Sequence, residues 1–444
     1  MIYGIDLGTT NSLIGYGDQL ITGLVSSSVD LATKKQVPRG YVTDTVESSY
    51  KANMTTGTSG DIPRLASSII LRTLADKVYE KTGKVCQDVV VSVPAKFSNT
   101  QREAVKQAVE MANLNLKGLV NEPTAAALYV CKERKGRVLV FDLGGGTFDV
   151  TLLDSRFGTY MVEATEGLIL AGDDFDKALL DYALSKIKLP IRFKTPLNIK
   201  VMQNAMRLVK ESIQRSNAPA LFTLPADICF KGEVEITPDI YCKIMMEVFA
   251  PTVKLAQRIL STYTYIGEED APSLVFVGGS TICPFLRAWV SQELGLPQFA
   301  SADDADFTVA RGVSIYAKML EDGEIETQVD DVTSRISIED SNGWAIQVID
   351  KNTVIPYSAS IMVCNDKKSD VLELNLYSGD DTLCSRNEYL GTLTYKYPQV
   401  MEPGEGYVDV AVNVDRNGLI SIVGTDLLTQ EQQQIKLERG VRLC

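Results

Sequence analysis

Two short segments of this 444-residue chain carry the same chemistry in the same order. Gly4-Ile5-Asp6-Leu7-Gly8-Thr9-Thr10-Asn11-Ser12 and Val140-Phe141-Asp142-Leu143-Gly144-Gly145-Gly146-Thr147-Phe148 each join an apolar run, one aspartate and a Gly/Thr turn. Glycines after a strand let backbone amides approach an anion without side-chain interference, and threonine hydroxyls add donors. Two such turns facing each other can grip a polyphosphate from both sides. The aspartates would repel a bare phosphate, so the pattern requires a divalent cation between them, held through water by Asp6 and Asp142. It therefore predicts a magnesium nucleotide. One Gly-rich turn alone is usually just a tight turn, but the doubled pattern, with a third loop at Gly278-Gly279-Ser280, argues for function.

Composition narrows the rest of the chemistry. The chain contains no histidine, which excludes Ser-His-Asp and Cys-His catalysis and the commonest transition-metal ligand. Eight cysteines, Cys86, Cys131, Cys229, Cys242, Cys283, Cys364, Cys384 and Cys444, show no Cys-x-x-Cys spacing. They read as reduced, buried thiols of a cytoplasmic protein rather than a disulfide or zinc framework. A formal net charge of −13 opposes binding to nucleic acid, and no apolar run approaches the roughly 20 residues of a membrane span. Met1 leads straight into the strand-like Ile2-Tyr3-Gly4-Ile5 with no signal-peptide pattern, so the mature chain is expected to begin there.

The elements that must position these loops can be read coarsely. Each Asp-Leu-Gly turn joins two apolar runs and reads as a β-hairpin, which implies two lobes of related design. Ser98-Asn99-Thr100-Gln101 spells a capping box ahead of Ala104, Val105, Ala108, Val109 and Ala112, and another helix is expected near Asp61 with Pro63 in its first turn. Strands at 89–93 and 138–141 and the strand-turn-helix unit at 274–280 alternate with these helices, as in an α/β domain. The acidic stretch 321–331 reads as a linker. Beyond it come short alternating runs at 344–349, 371–377, 408–414 and 419–423, with Asn417-Gly418 as a hairpin turn, which reads as a small all-β sandwich.

The spellings are specific enough to name a resemblance. Ile5-Asp6-Leu7-Gly8-Thr9-Thr10-Asn11-Ser12, Asn121-Glu122-Pro123-Thr124-Ala125-Ala126-Ala127, Phe141-Asp142-Leu143-Gly144-Gly145-Gly146-Thr147-Phe148-Asp149-Val150, Ala171-Gly172-Asp173-Asp174-Phe175-Asp176, Val277-Gly278-Gly279-Ser280-Thr281 and Ala310-Arg311-Gly312-Val313 resemble the seventy-kilodalton heat-shock chaperones of the actin-like ATPase superfamily. The likeness continues at Asp350-Lys351-Asn352-Thr353-Val354-Ile355-Pro356 and Val414-Asp415-Arg416-Asn417-Gly418-Leu419-Ile420. It implies an α/β actin-like (ribonuclease H-like) two-lobed nucleotide-binding domain over 1–320, a linker at 321–332 and a peptide-binding β-sandwich over 333–444. By that similarity Gly8, Thr9, Thr10, Asn11, Gly144, Gly145, Gly146, Thr147 and Gly172 would contact the phosphates of ATP or ADP. Asp6, Asp142 and Asp174 would surround Mg2+ and its waters, and Glu122 would orient the attacking water. Glu211, Arg215, Gly278, Gly279, Ser280 and Asp306 would hold the adenosine; for Glu211 and Arg215 a solvated pair on a polar helix face is the alternative. Ile338, Val363, Leu372 and Leu374 would line a groove for an apolar peptide side chain, with plain core packing as the alternative.

Departures from the family pattern shape the expected activity. The text between Asn11 and Asp61 is short, and the family's phosphate-facing lysine falls in it; Lys51 is a candidate replacement, but a solvated surface lysine is the preferred reading. Gly167-Leu168-Ile169-Leu170 stands where an Asp-Thr pair is usual, Ile282 where an arginine is, and Gln214 where a lysine is, so guanidinium stacking on adenine is lost. Ser341 replaces a bulky residue of the peptide site. The interdomain run reads Thr327-Gln328-Val329-Asp330 instead of being aliphatic, and the text ends at Leu443-Cys444 with no helical lid. Taken together, the resemblance and its departures imply an ATP-binding chaperone for extended apolar polypeptide segments, helped by co-chaperones, with slow hydrolysis and weak interdomain coupling. A pseudo-ATPase or nucleotide-sensing binding protein is the alternative. An actin-like small-molecule kinase is disfavoured by the β-rich second part.

Overall fold

The computed structural model describes residues 1–55, 61–95, 97–131, 136–155, 160–262, 271–298, 305–324, 329–333, 335–351 and 353–435. The sequence expectations at 327–328, Asn352 and 443–444 fall outside these residues. Two compact units emerge, one of Met1–Lys96 and Ala104–Val329, the other of Phe97–Glu103 and Asp330–Cys444.

Each aspartate of the doubled motif sits one residue from the end of its strand. In the first sheet Ile2–Leu7 and Asn11–Tyr16 form an antiparallel hairpin with Asp6 opposite Leu13. Strands Asp88–Val93 and Asn115–Asn121 add to it in parallel. In the second sheet Arg137–Leu143 and Phe148–Asp154 pair antiparallel with Asp142 opposite Asp149. Tyr160–Leu168 continues the second sheet antiparallel, and Ser273–Val277 flanks Arg137–Leu143 in parallel. Both expected hairpins therefore form, on two sheets of the same design. Alternate apolar residues on both faces explain the near-continuous burial of these strands, because helices cover both sides.

The helices run in the order α1 Asp61–Thr82, α2 Asn99–Met111, α3 Glu122–Val130, α4 Gly172–Ile187, α5 Pro196–Ser216, α6 Pro238–Ser261, α7 Pro284–Leu294 and α8 Thr308–Asp322. The capping box before α2 is realised: Ser98 N–H donates to Gln101 Oε1 and Gln101 N–H to Ser98 Oγ, at 3.0 and 3.3 Å. Its five expected apolar positions are all buried. α3 and α8 are buried among the strands and meet at Gly312, where a β-carbon would lie 1.7 Å from the Ala125 carbonyl oxygen. Only glycine permits that approach. In the second lobe Phe175 of α4 packs edge-on against Tyr241 and Phe249 of α6, at centroid distances of 4.9 and 5.6 Å.

Between Asn11 and Asp61 the short text folds as a three-stranded antiparallel sheet, Ser28–Asp30, Lys35–Val37 and Val46–Glu47. The segment expected as a linker is partly structured: α8 continues through Glu321 and Asp322 to a left-handed Gly323, and Val329–Thr333 is a strand paired with Thr353–Ile355. The second unit holds two four-stranded antiparallel sheets. One orders Ala345–Ile349, Ile336–Glu339, Ser369–Ser378 and Glu388–Met401; the other Tyr357–Cys364, Tyr407–Val414, Ile420–Asp426 and Gln432–Ile435. Ile338, Leu376, Leu393 and Tyr395 of the first share a core with Val408, Val410, Val412 and Ile422 of the second. The Asn417-Gly418 turn forms as expected, with Gly418 at φ +71° and Asp415 N–H donating to the Leu419 carbonyl at 3.0 Å.

All cysteines among the described residues are free thiols, four of them buried. Cys229 and Cys364 are exposed, against the expectation of uniformly buried thiols. Cys229 is carried outward by a left-handed turn (φ +54°), and Cys364 ends a strand at a sheet edge. No described helix is long and apolar enough to cross a membrane.

Candidate functional site

The strand ends of the two sheets bring the loops together. A cleft of about 290 Å³ is lined by Asp6, Gly8, Thr9, Thr10 and Asn11 from one lobe and Asp142, Gly144, Gly145, Thr147 and Gly172 from the other. Glu122, Glu211, Arg215, Gly278, Gly279, Ser280 and Asp306 complete the expected set around it. The turns are braced from behind. Gly172 and Asp173 N–H groups at the start of α4 donate to the Gly144 and Gly145 carbonyls at 3.1 and 2.8 Å, and Ser280 Oγ donates to Gly144 O at 2.7 Å. On the other lobe Ser27 ties down the first turn, its Oγ donating to Gly8 O at 2.7 Å and its N–H to Thr10 O at 2.8 Å. The turns approach so closely that a β-carbon on Gly145 would stand 2.3 Å from Thr10 Oγ1. Gly278, at φ +85°, brings the third loop against Asp142, whose Oδ1 would lie 2.7 Å from a β-carbon there.

Two expected residues are placed differently. Gly146 is absent from the cleft lining, its α-face turned toward the Thr9 side chain. Asp174 is also absent: at the third position of α4 its Oδ2 accepts from Ala171 N–H at 2.8 Å, closing the helix start. The helical turn instead presents Asp173 and Asp176, three residues apart, to the cleft. Asp176 pairs with Lys210 of α5 at 2.7 Å.

Lys51 is the largest correction to the sequence reading. It is not solvated: it is 2% exposed, lies in the cleft lining, and its Nζ pairs with Glu122 Oε1. Glu122 opens α3, where the helix N-terminus favours a carboxylate. The sequence pointed to a surface lysine because Ser49-Tyr50-Lys51-Ala52 has no motif around it; its burial comes from a short 3₁₀ turn, Lys51–Asn53, that no local pattern signals. Around this cation gather Asp6, Glu122 and Asp142. Burial and the charge of Glu122 push the Asp6 carboxyl up to about 6, against the opposing pull of Lys51 and a 2.8 Å hydrogen bond from Ser92 Oγ. Asp142 is held well above the usual carboxylate range by burial first, then by Glu122, Asp149 and Asp6. Asp149, 2% exposed and opposite Asp142 in the hairpin, is a further buried carboxylate that the sequence reading quoted without assigning it a role.

On the α5 side of the cleft, Glu211 gathers three guanidinium groups: Arg39 at 2.8 Å, Arg215 at 3.5 Å and Arg207 at 3.7 Å. Arg215 is 79% exposed, so its solvated-pair reading holds for the side chain even though it borders the cleft. Arg39 carried no sequence signal. Ile282 also lines the cleft and offers an apolar edge where the family pattern has arginine.

In the second unit, Ile338 and Leu372 are 3% and 6% exposed members of the core, which is the packing alternative. Val363 and Leu374 are half-buried against that core. Ser341 is exposed.

The family model for Hsp70 protein matches residues 32–443. This chain belongs to the Hsp70 family. Over its whole length it is 29% identical to the chaperone protein DnaK of Mycoplasma mobile and 28% identical to that of Mycoplasmoides gallisepticum, spanning 79% and 81% of those relatives. It is 30% identical to the DnaK of Deinococcus proteolyticus over 86% of its own length and 63% of the relative's. Membership carries the actin-like two-lobed nucleotide-binding fold, to which the paired sheets and cleft correspond. It also carries a chaperone function in general terms.

Proposed function

We propose that this protein is an ATP-dependent chaperone: a magnesium nucleotide occupies the cleft of the first unit and is hydrolysed slowly, and the β-rich second unit binds extended apolar polypeptide. The observation that carries this reading is the buried Lys51–Glu122 pair standing between the two aspartate-bearing turns.

The donor set fits the nucleotide and its cation. Asp6 and Asp142 are two carboxylates held in a poorly solvated place, with raised proton affinity that a cation would relieve. Magnesium keeps several waters and is bound through substrate phosphates and one or two carboxylates, which Asp6 and Asp142 could supply. When bound, the metal would supply charge neutralisation for phosphoryl transfer. The chain's own groups do the rest. Amides of Gly8, Thr9, Thr10, Gly144, Gly145 and Thr147 would hold the phosphates between the lobes, and Gly278, Gly279, Ser280, Asp306 and Glu211 the adenosine. Lys51 Nζ would turn toward the terminal phosphate. Glu122, freed from part of that pairing, would accept a hydrogen bond from the attacking water and orient it.

Gly167-Leu168-Ile169-Leu170 stands where the family pattern has an Asp-Thr pair, so one carboxylate of the metal site is missing and turnover is slow. That same loss is what favours the second reading, a nucleotide-binding protein without productive hydrolysis. The domain division at 1–320, 321–332 and 333–444 belongs to this proposal, as do the sandwich reading of the two four-stranded sheets, a cytoplasmic location and co-chaperone partners. Val363 and Leu374 are the half-buried apolar positions available for a peptide side chain. Single-turnover hydrolysis of ATP, with and without an extended apolar peptide, tests the reading. Slow cleavage that peptide alters supports a chaperone ATPase; nucleotide binding with no cleavage supports the second reading.

A further inference from the structure

Behind the phosphate turn lies a second cavity, of about 340 Å³, which the nucleotide reading does not use. Thr9, Thr10, Arg39, Asp173 and Asp176 line both cavities, so the second adjoins the cleft along the first phosphate turn and the start of α4. Its other walls are the small sheet of residues 28–49 and the first half of α5. Asn204 Nδ2 donates to Gly40 O and Lys200 Nζ to Val46 O, each at 3.3 Å, Ser49 Oγ donates to Asp173 Oδ2 at 2.5 Å, and Arg39 pairs with Glu211 of α5 at 2.8 Å.

Its chemistry is that of an anion site. Arg39, Lys200 and Arg207 line it together with the hydroxyls of Ser28, Tyr41, Ser48 and Ser49. Arg207 Nε is buried without a hydrogen-bond partner, and buried donors left unmade are costly. Arg207 donates through its terminal nitrogen to Asn204 Oδ1, and Nε is 3.7 Å from Glu211 Oε1, too far for a hydrogen bond. Burial and the nearby Arg39 guanidinium both press on the Arg207 charge. The carboxylates present are already engaged: Asp176 by Lys210, Asp173 by Ser49, Glu211 by Arg39. Three cations, Arg39, Lys200 and Arg207, line the cavity against two carboxylates, Asp173 and Asp176, a local positive excess in a chain whose formal net charge is −13.

We infer that this cavity binds a tetrahedral oxyanion of the size of inorganic phosphate, held by Arg207, Arg39 and Lys200 beside the nucleotide cleft. The oxyanion has two sources, phosphate from solution and, resting on the proposed ATPase reading, the phosphate split from ATP next door. For the latter the cavity is a holding site on the way out.

The test is calorimetric titration of inorganic phosphate into the full chain, first free of nucleotide and then saturated with ADP. One phosphate site is expected in both states. Arg207→Gln should weaken it about tenfold or more, the loss of a charge-assisted hydrogen bond. Should Arg207→Gln lower the melting temperature, Lys200→Gln at the exposed rim serves instead, with weaker phosphate binding and unchanged ADP affinity. No phosphate binding, binding abolished by ADP, or binding indifferent to both substitutions would overturn the inference. Phosphate binding that depends on Arg207 in a protein with no ADP affinity would uphold the site while removing the ATPase reading. The source is read in single turnover with a fluorescent phosphate sensor. Release slower than cleavage, and caught up to cleavage by Arg207→Gln, assigns the site to split phosphate; equal rates in both proteins assign it to phosphate from solution.

Discussion

Replacing Lys51 with methionine keeps its length and removes its charge, and the structure sets the size of the effect. Lys51 and Glu122 are a buried pair, with side chains 3% and 11% exposed. Removing one partner of such a pair leaves an uncompensated buried charge, at a cost of about 3–5 kcal/mol. Here the remaining carboxylates also repel each other. The Lys51 charge draws down both Asp6 and Asp142, so each should rise further without it. The Asp6 carboxyl already stands at about 6 against an ordinary 3.8, and a displacement of that size corresponds to about 3 kcal/mol at neutral pH. A carboxyl raised in the folded state stabilises the fold while protonated and loses that contribution as pH rises through the folded value. The deficit of Lys51→Met in urea unfolding should therefore be large near neutral pH and shrink toward about pH 5. Adding Glu122→Gln should restore much of the stability, and hydrolysis should stay about 10²-fold or more below the parent in both variants. If Lys51→Met unfolds at the parent's urea midpoint at neutral pH and hydrolyses ATP at the parent's rate, Lys51 is a surface residue and the reasoning fails.

Gly145→Asp should abolish nucleotide binding measured by calorimetry while circular dichroism stays unchanged, because the new side chain would start 2.3 Å from Thr10 Oγ1 and bring a negative charge to the phosphate turn. Gly312→Val should lower the melting temperature steeply, or prevent folding, since its β-carbon meets the Ala125 carbonyl at 1.7 Å. The nucleotide-free protein should lose stability as pH rises through about 6, where Asp6 and Asp176, raised chiefly by burial, must ionise. Urea midpoints compared on either side of that pH check this, and a flat profile contradicts it. Peptide affinity by fluorescence anisotropy should differ little between ATP and ADP if the polar run at 327–330 couples the units weakly; a large difference would restore tight coupling.

Much of the cleft was legible because its determinants are local. A strand, an aspartate and a Gly/Thr turn are contiguous in sequence, so both hairpins and the cap of α2 could be read from a dozen residues at a time. Lys51, Arg39 and Lys210 could not. Their roles depend on where a short irregular segment and the polar side of α5 come to rest, and nothing in the neighbouring spelling encodes that. Asp174 shows the opposite difficulty. It carries the motif's letter, but the third position of a helix reaches back to the helix start, and helical spacing hands the cleft to Asp173 and Asp176. The strand at Val329–Thr333 was hidden by acidic composition, because pairing with Thr353–Ile355 is set by a partner distant in sequence.

The central claim is that the two aspartate-bearing turns form one magnesium-nucleotide site, and titrating ATP into the full chain with and without magnesium tests it most directly. The account predicts saturable heat for one nucleotide per chain, strongly weakened when magnesium is withheld. No heat at millimolar ATP in the presence of magnesium would contradict it.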